Sequence, residues 1–265
     1  MKILLLTIIC VGLVVLTVGN WRSNSSRATN EPAVIVAENI QQDQAKEWDP
    51  SKEGIGDLTE GPRTESTVPK DKRKPINIVR RLFRPEEFAA FVKKTVFPEF
   101  KKQSQWKPEF IVLHHTGVPS IKQRPSGFTT NNMDLLAKFY GIEKGWRSGP
   151  HLFVDQNGIW VFSPLEKRGT HSPSWNNRAW GIEQLGNFIN EAYDSGPGQK
   201  IQDNALAALA ILSLARNLEV ETLHFHLEDP LTDHRNCPGA FCDKDQVKLK
   251  LKAEIEKWRP VWNSL

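Results

Sequence analysis

The sequence predicts one α/β domain over residues 76–265, with a mixed central β-sheet flanked by helices. Three observations carry this. Apolar runs of strand length stand at 110–115 and 180–185, with a shorter one at 221–226. Segments of helical period lie between and around them. The two kinds of segment do not alternate strictly, so the sheet is expected to be mixed.

The first 75 residues lie outside that domain. Lys2 precedes Ile3–Asn20, a run free of charge and long enough to span a thin bilayer as a helix. Residues 1–20 are therefore read as a signal peptide or membrane anchor, with an uncleaved anchor favoured. Export to the cell envelope or periplasm follows, with membrane contact only through this segment. Cys10 reads as a membrane-buried apolar residue without a lipidation box. Residues 21–75 are rich in Ser, Thr, Pro, Glu and Lys and show no sustained period. Such a segment cannot bury enough apolar surface to offset the entropy of ordering, and reads as a disordered linker.

Folding is expected to begin near Ile76–Arg84. Arg84-Pro85-Glu86-Glu87 opens a helix, with Pro in the first turn and acids at the positive end. Phe88, Phe91, Val92 and Val96 form its apolar stripe. Phe110–His115 is a buried strand, and alternation sends His114 and His115 to opposite faces. Asn132–Glu143 reads as a helix. Asn157-Gly158 marks a hairpin between His151–Asp155 and Ile159–Ser163. Trp180–Leu185 is a strand that puts Gly181, Glu183 and Leu185 on one face. Asp203 is expected to cap a central helix over Asn204–Leu218, apolar almost all round. Glu221–His226 is a short strand with His224 and His226 on one face. Asp243 caps a last helix running to about Trp258.

Chemistry concentrates between His224 and Cys242, which hold three of the seven histidines and two of the three cysteines. Imidazole and thiolate are the side chains that bind zinc best. A third ligand from elsewhere is needed, and His114–His115 at a strand end is the obvious donor. The expectation is a catalytic Zn2+ with three protein ligands and one open position. Glu183 stands in an otherwise apolar strand, where a carboxylate is costly to bury without a partner or metal. It is a candidate functional acid with a raised pKa.

Ile111-Val112-Leu113-His114-His115-Thr116, Gly181-Ile182-Glu183 with Gly186-Asn187, and His226 ahead of Cys237-Pro238-Gly239 together resemble the zinc-dependent N-acetylmuramoyl-L-alanine amidases. This amidase_2 superfamily includes the peptidoglycan recognition proteins. The resemblance covers roughly residues 85–260. It implies zinc ligation by His114, His226 and Cys237, with His224 and His234 competing for the second place. It implies Glu183 as acid-base residue, since the place where some relatives carry Tyr falls on Pro150. Arg235, two positions before Cys237, is implied to steady the oxyanion. His171 falls near the substrate, and Trp175 and Asn176 follow it toward the groove. His115 and His151 are read as structural. The implied reaction is hydrolysis of the amide between N-acetylmuramic acid and L-alanine, on peptidoglycan or muropeptides. The alternative is a recognition module of the same fold that binds without cutting.

Net charge is +4 and the pI about 8.9, which suits an anionic polymer or membrane surface. No basic helix or aromatic platform suggests nucleic acid, and a monomer is expected. Cys242 poses a problem outside the cytosol, because a disulfide to Cys237 would remove a ligand. The expectation is that metal protects Cys237 and that Cys242 stays a thiol.

Overall fold

The computed structural model describes residues 68–102 and 106–265. The apolar run Ile3–Asn20 and nearly all of the expected linker lie outside the described residues. Among the described residues, no helix is long and apolar enough to cross a membrane.

Six strands form one mixed sheet: β1 (Arg81–Phe83), β2 (Phe110–His115), β3 (Leu152–Asp155), β4 (Gly158–Val161), β5 (Ala179–Gln184) and β6 (Leu223–Phe225). Their order is β1-β4-β3-β5-β2-β6. The β1/β4 and β4/β3 pairs are antiparallel, whereas β3/β5, β5/β2 and β2/β6 are parallel. The expected hairpin is β3–β4, turning at Gln156-Asn157. The carboxylate of Asp155 accepts from the N–H groups of Asn157, Gly158 and Phe128, which ties the turn to a neighbouring loop. β1 falls in the stretch where folding was only expected to begin. It is too short to show a period, and its pairing with β4 creates it.

Among the described residues, four α-helices complete the domain: α1 (Pro85–Phe91), α2 (Thr130–Lys138), α3 (Gly196–Arg216) and α4 (Lys244–Ser264). α1 and α2 each run on into a π-helical turn, Val92–Val96 and Phe139–Glu143. The start of α1 is as expected, with the Arg84 N–H donating to the Glu87 carboxylate at 3.0 Å. α3 begins several positions before the cap expected at Asp203, because Gly196-Pro197-Gly198 opens the helix instead of forming a loop. A Cβ at Gly198 would lie 1.9 Å from the Ala192 carbonyl oxygen, so the helix start needs glycine to pack there. Asp203 sits inside α3, where Gln199 donates to it at 2.7 Å. α4 keeps its Asp243 cap but outruns Trp258. Buried Trp262 packs edge-on against Phe97 at 5.6 Å and accepts at its carbonyl from Lys93. That contact holds the last turns despite Pro260.

The sheet has two unlike faces around β2 and β5. Ile111, Leu113, Trp180 and Ile182 join the large core that includes α3. Phe110, Val112 and Ala179 form a small separate cluster with Trp175. The second face carries the site. Packing also starts earlier than the expected domain boundary at 76. Lys70–Lys72 forms a 3-10 turn, and the Arg73 guanidinium donates to the Ile142 and Glu143 carbonyls at 3.2 and 3.1 Å. Residues 68–75 are thereby fixed to the end of α2's π-helical turn, which composition alone does not reveal.

Candidate metal and catalytic site

Register builds the site. β2 and β5 run parallel with His114 opposite Glu183, so both side chains leave one face at one level. On the other side of β2, Val112 pairs with His224. Strand β6 ends at Phe225, and His226 opens a 3-10 turn, His226–Glu228. His226 therefore arrives beside His114, with ring centroids 4.3 Å apart. His224 stays level with Val112, where its ring meets Phe110 and Trp175 and its Nδ1 faces Glu228 at 3.1 Å. Cys237 comes from the next loop, pinned by the Leu227 N–H donating to its carbonyl at 2.9 Å. Its sulfur accepts from the His115 N–H at 3.4 Å. The ligating atoms of His114, His226 and Cys237 lie within 4.8 Å of one another, and all three residues are buried.

Hydrogen bonding fixes which imidazole nitrogen faces inward. The Ala179 carbonyl can only accept, so His171 must donate to it from Nε2, at 3.1 Å. Neutral His171 then has an acceptor at Nδ1, which lies 3.1 Å from His114 Nε2. His114 accordingly carries its proton on Nε2 and a lone pair on Nδ1. At His226 it is again Nε2 that is engaged by protein, 3.1 Å from the Thr232 hydroxyl, so Nδ1 is the nitrogen that faces inward. The Nδ1 atoms of His114 and His226 are buried and have no hydrogen-bond partner. Burial, and then the neighbouring imidazoles, hold the His114 pKa well below its usual value. Burial chiefly lowers that of His226 to about 3. Both rings are neutral, as metal ligation requires.

Glu183 completes the cluster. It is 0 % exposed, and neither carboxylate oxygen has a hydrogen-bond partner. Its Oε1 lies 3.6 Å from His114 Nδ1, too far for a hydrogen bond. Burial alone pushes its pKa well above the carboxylate range. Such a group costs free energy and supports nothing in the fold. Two imidazole lone pairs, one sulfur and an unsatisfied carboxylate fit a divalent cation, and a ligand set of two nitrogens and one sulfur fits zinc.

The other expected site residues separate into two groups. His171 is fully buried behind His114, with both nitrogens engaged by protein. The Asn176 side-chain amide oxygen Oδ1 accepts from the N–H groups of His171 and Ser172 at 2.6 and 2.8 Å, holding that loop. Trp175 is half-buried against Phe110. Arg235 is exposed, and it lines a pocket of about 430 Å3 that reaches Cys237 and includes His234 and Asn187. His234 stacks on His226 at 5.3 Å. His115 accepts from the Phe188 N–H at Nδ1, and His151 accepts from the Gly181 N–H and donates to the Lys167 carbonyl. Pro150 is buried and offers no hydroxyl. Cys237 and Cys242 form no disulfide, and burial raises the Cys242 thiol to about 12.

Two positioning acids were missed from sequence. Asp229 is buried and accepts from the Ser172 hydroxyl and the Ser174 N–H, joining the loop after His226 to the loop of His171. Glu228 accepts from the Phe225 N–H at 2.8 Å and pairs with Lys244. The signal was the acidic pair itself, directly after His226-Leu227. Gly181 has a similar task, because a Cβ there would lie 2.2 Å from the His171 ring.

Residues 104–240, just over half of the chain, match the family model Amidase_2, N-acetylmuramoyl-L-alanine amidase. The chain belongs to this family. The matched stretch contains His114, Glu183, His226 and Cys237. Membership places the chain, at family level, among proteins that hydrolyse or recognise peptidoglycan amides. No curated protein matches the chain. Among solved structures it is similar to the endolysin N-acetylmuramoyl-L-alanine amidase LysCS from Clostridium intestinale URNW. Identity is 28 %, over 56 % of this chain and 85 % of that one, with a TM-score of 0.44. It is also similar to wild-type Drosophila PGRP-LB at 20 % identity, over 74 % of this chain and 94 % of that one, with a TM-score of 0.43. A mutant Drosophila PGRP-LB in complex with tracheal cytotoxin matches at 22 % identity, over 58 % and 83 %, with a TM-score of 0.42.

Proposed function

We propose that the chain is a zinc-dependent hydrolase that cleaves the amide between N-acetylmuramic acid and L-alanine in peptidoglycan or muropeptides. The observation that carries this reading is Glu183, a fully buried carboxylate with no hydrogen-bond partner beside two inward-facing imidazole lone pairs. A recognition module that only binds has no use for it.

His114, His226 and Cys237 would hold the ion. Zinc in such a set supplies a Lewis acid and lowers the pKa of water toward about 7. Glu183 takes the proton of the attacking water and returns it to the leaving amide nitrogen, the acid-base role its raised pKa suits. His171 keeps the His114 proton on Nε2, so that Nδ1 stays available for ligation. Arg235, which lines the pocket that reaches Cys237, steadies the negative oxygen that develops on the carbonyl. Being always charged, it cannot shuttle a proton. Residues 1–20 would export the protein and tether it in the envelope.

The test is to incubate full-length protein with purified peptidoglycan and analyse the soluble products by mass spectrometry. The expected products are peptides with a free L-alanine N-terminus, absent when a zinc chelator is added. Peptidoglycan retained without any release, on zinc-loaded protein, would move the assignment to recognition.

A further inference from the structure

The helix pair α3–α4 carries a groove that the metal site does not use. Asn217 ends α3 in the left-handed conformation, at φ +53°, and the Leu218 N–H turns back to the Ser213 carbonyl at 3.0 Å. This turn lays Leu218 and Val220 beside Leu214. With Ile255 of α4 they line a groove of about 420 Å3. Leu249 also lines it and is 65 % exposed, the most exposed large apolar side chain among the described residues. It carries the apolar lining out to the surface, so it is not an isolated exposed leucine.

The charges around this groove are balanced and open. Lys248 and Lys252 line it from α4, and Glu219 and Glu221 line it from the segment that joins α3 to β6. Among the described residues, none of these four forms a salt bridge. A further pair, Arg259 and Glu256, is closed within the chain at 2.9 Å. Two open cations and two open anions beside one apolar groove make a self-complementary pattern. A strongly acidic or basic partner, or an anionic membrane surface, would meet like charge on half of it. A second copy, turned about a twofold axis, brings its lysines to these glutamates and its glutamates to these lysines.

The position of the groove keeps such an interface clear of the metal site. Val220 and Glu221 stand just ahead of β6, and Arg216 donates to the Pro108 carbonyl just ahead of β2. The groove therefore lies by the starts of the parallel strands, whereas His114, Glu183 and His226 stand at their far ends.

We propose that this face is a twofold interface between two copies of the chain. Leu249 of each copy enters the apolar groove of the other, and Lys248 and Lys252 of each pair with Glu219 and Glu221 of the other. The chain would then be a dimer in place of the monomer expected from sequence, with both metal sites open. The inference does not rest on the proposed function.

The test is sedimentation velocity of full-length protein in a non-ionic detergent, over a concentration series. Wild type is expected to be a dimer that dissociates on dilution. Leu249→Glu should raise the dissociation constant about tenfold or more, with the thermal midpoint unchanged because the side chain is exposed. Lys248→Glu/Lys252→Glu should dissociate the dimer as well, by setting carboxylates against carboxylates. Adding Glu219→Lys/Glu221→Lys to that chain should restore the dimer, which excludes misfolding as the cause. Amide release per chain by Leu249→Glu should equal that of wild type. A wild type that stays monomeric, a dimer that Leu249→Glu leaves intact, or a charge swap that fails to restore association overturns the proposal. So does a wild-type monomer that becomes a dimer only when residues 33–37, Ala-Val-Ile-Val-Ala, are deleted. That result would give the groove to the chain's own N-terminal segment.

Discussion

At the level of single residues, some side chains have energetics that make sense only as chemistry. Glu183 is buried without a partner, so the fold bears its cost. Replacing it with Gln should lower amide release by roughly 10²–10⁴-fold while zinc stoichiometry is retained. The same change should raise the thermal midpoint of metal-free protein at pH 8, because the carboxylate no longer has to shed or bury its charge. Loss of zinc together with activity would instead make Glu183 a structural group. His171 is predicted to act through His114. His171→Ala should weaken zinc binding about 10–100-fold in chelator competition, and His171→Asn should restore part of it. His114, Glu183 and Cys237 were visible in the sequence because each is an unusual residue for its place: a His closing an apolar strand, an acid inside one, and a Cys in a Pro-Gly turn. That His171 faces His114 was not visible, since it depends on a loop folding back over β5. Asp229 escaped for the same reason, as its partners Ser172 and Ser174 lie on that loop.

At the element scale, register does the selecting. His224 and His226 share a strand face in any reading of alternation, so sequence left the choice between them open. The pairing of Val112 with His224 resolves the geometry, because His226 is then the one that reaches the level of His114. Gly181 is the matching constraint on β5. Gly181→Ala would drive a methyl into the His171 ring and should cost about 1–3 kcal/mol in denaturant unfolding, with zinc affinity falling alongside. A substitution that left both unchanged would show that His171 has room to move. Periodicity located the central strands and most helices. It failed at α3, whose Gly-Pro-Gly start resembles a loop, and at the end of α4, which Trp262 holds through tertiary contacts. Both misses are cases where packing overrides local preference.

At the scale of the whole molecule, the rings of buried histidines 114, 151, 171 and 226 touch in a chain while His115 leaves β2 on the opposite face, and burial holds the pKa values of all five down. For His151 the value is about 3, against about 6.5 in the unfolded chain. A lowered histidine stabilises the fold fully above pH 6.5, and that contribution is lost as pH falls toward 3. Each such group costs about 1.4 kcal/mol per pH unit inside its window. The thermal midpoint of metal-free protein should therefore drop clearly between pH 7 and pH 4, and that of His151→Gln should drop less. A midpoint flat across that range would contradict neutral buried imidazoles. Zinc loading should raise the midpoint at pH 7 by mass action, and a chelator should reverse it. The N-terminal run and nearly all of the linker lie outside the described residues, and the packing of residues 68–75 was not legible in composition. On the proposed reading, two imidazoles and one thiolate converge on a single metal next to Glu183. X-ray absorption at the zinc edge of full-length, zinc-loaded protein tests this most directly. The account predicts one sulfur at about 2.3 Å, two imidazole nitrogens at about 2.0–2.1 Å and one further light atom from water. A shell without sulfur, or one whose sulfur survives Cys237→Ser, would contradict it.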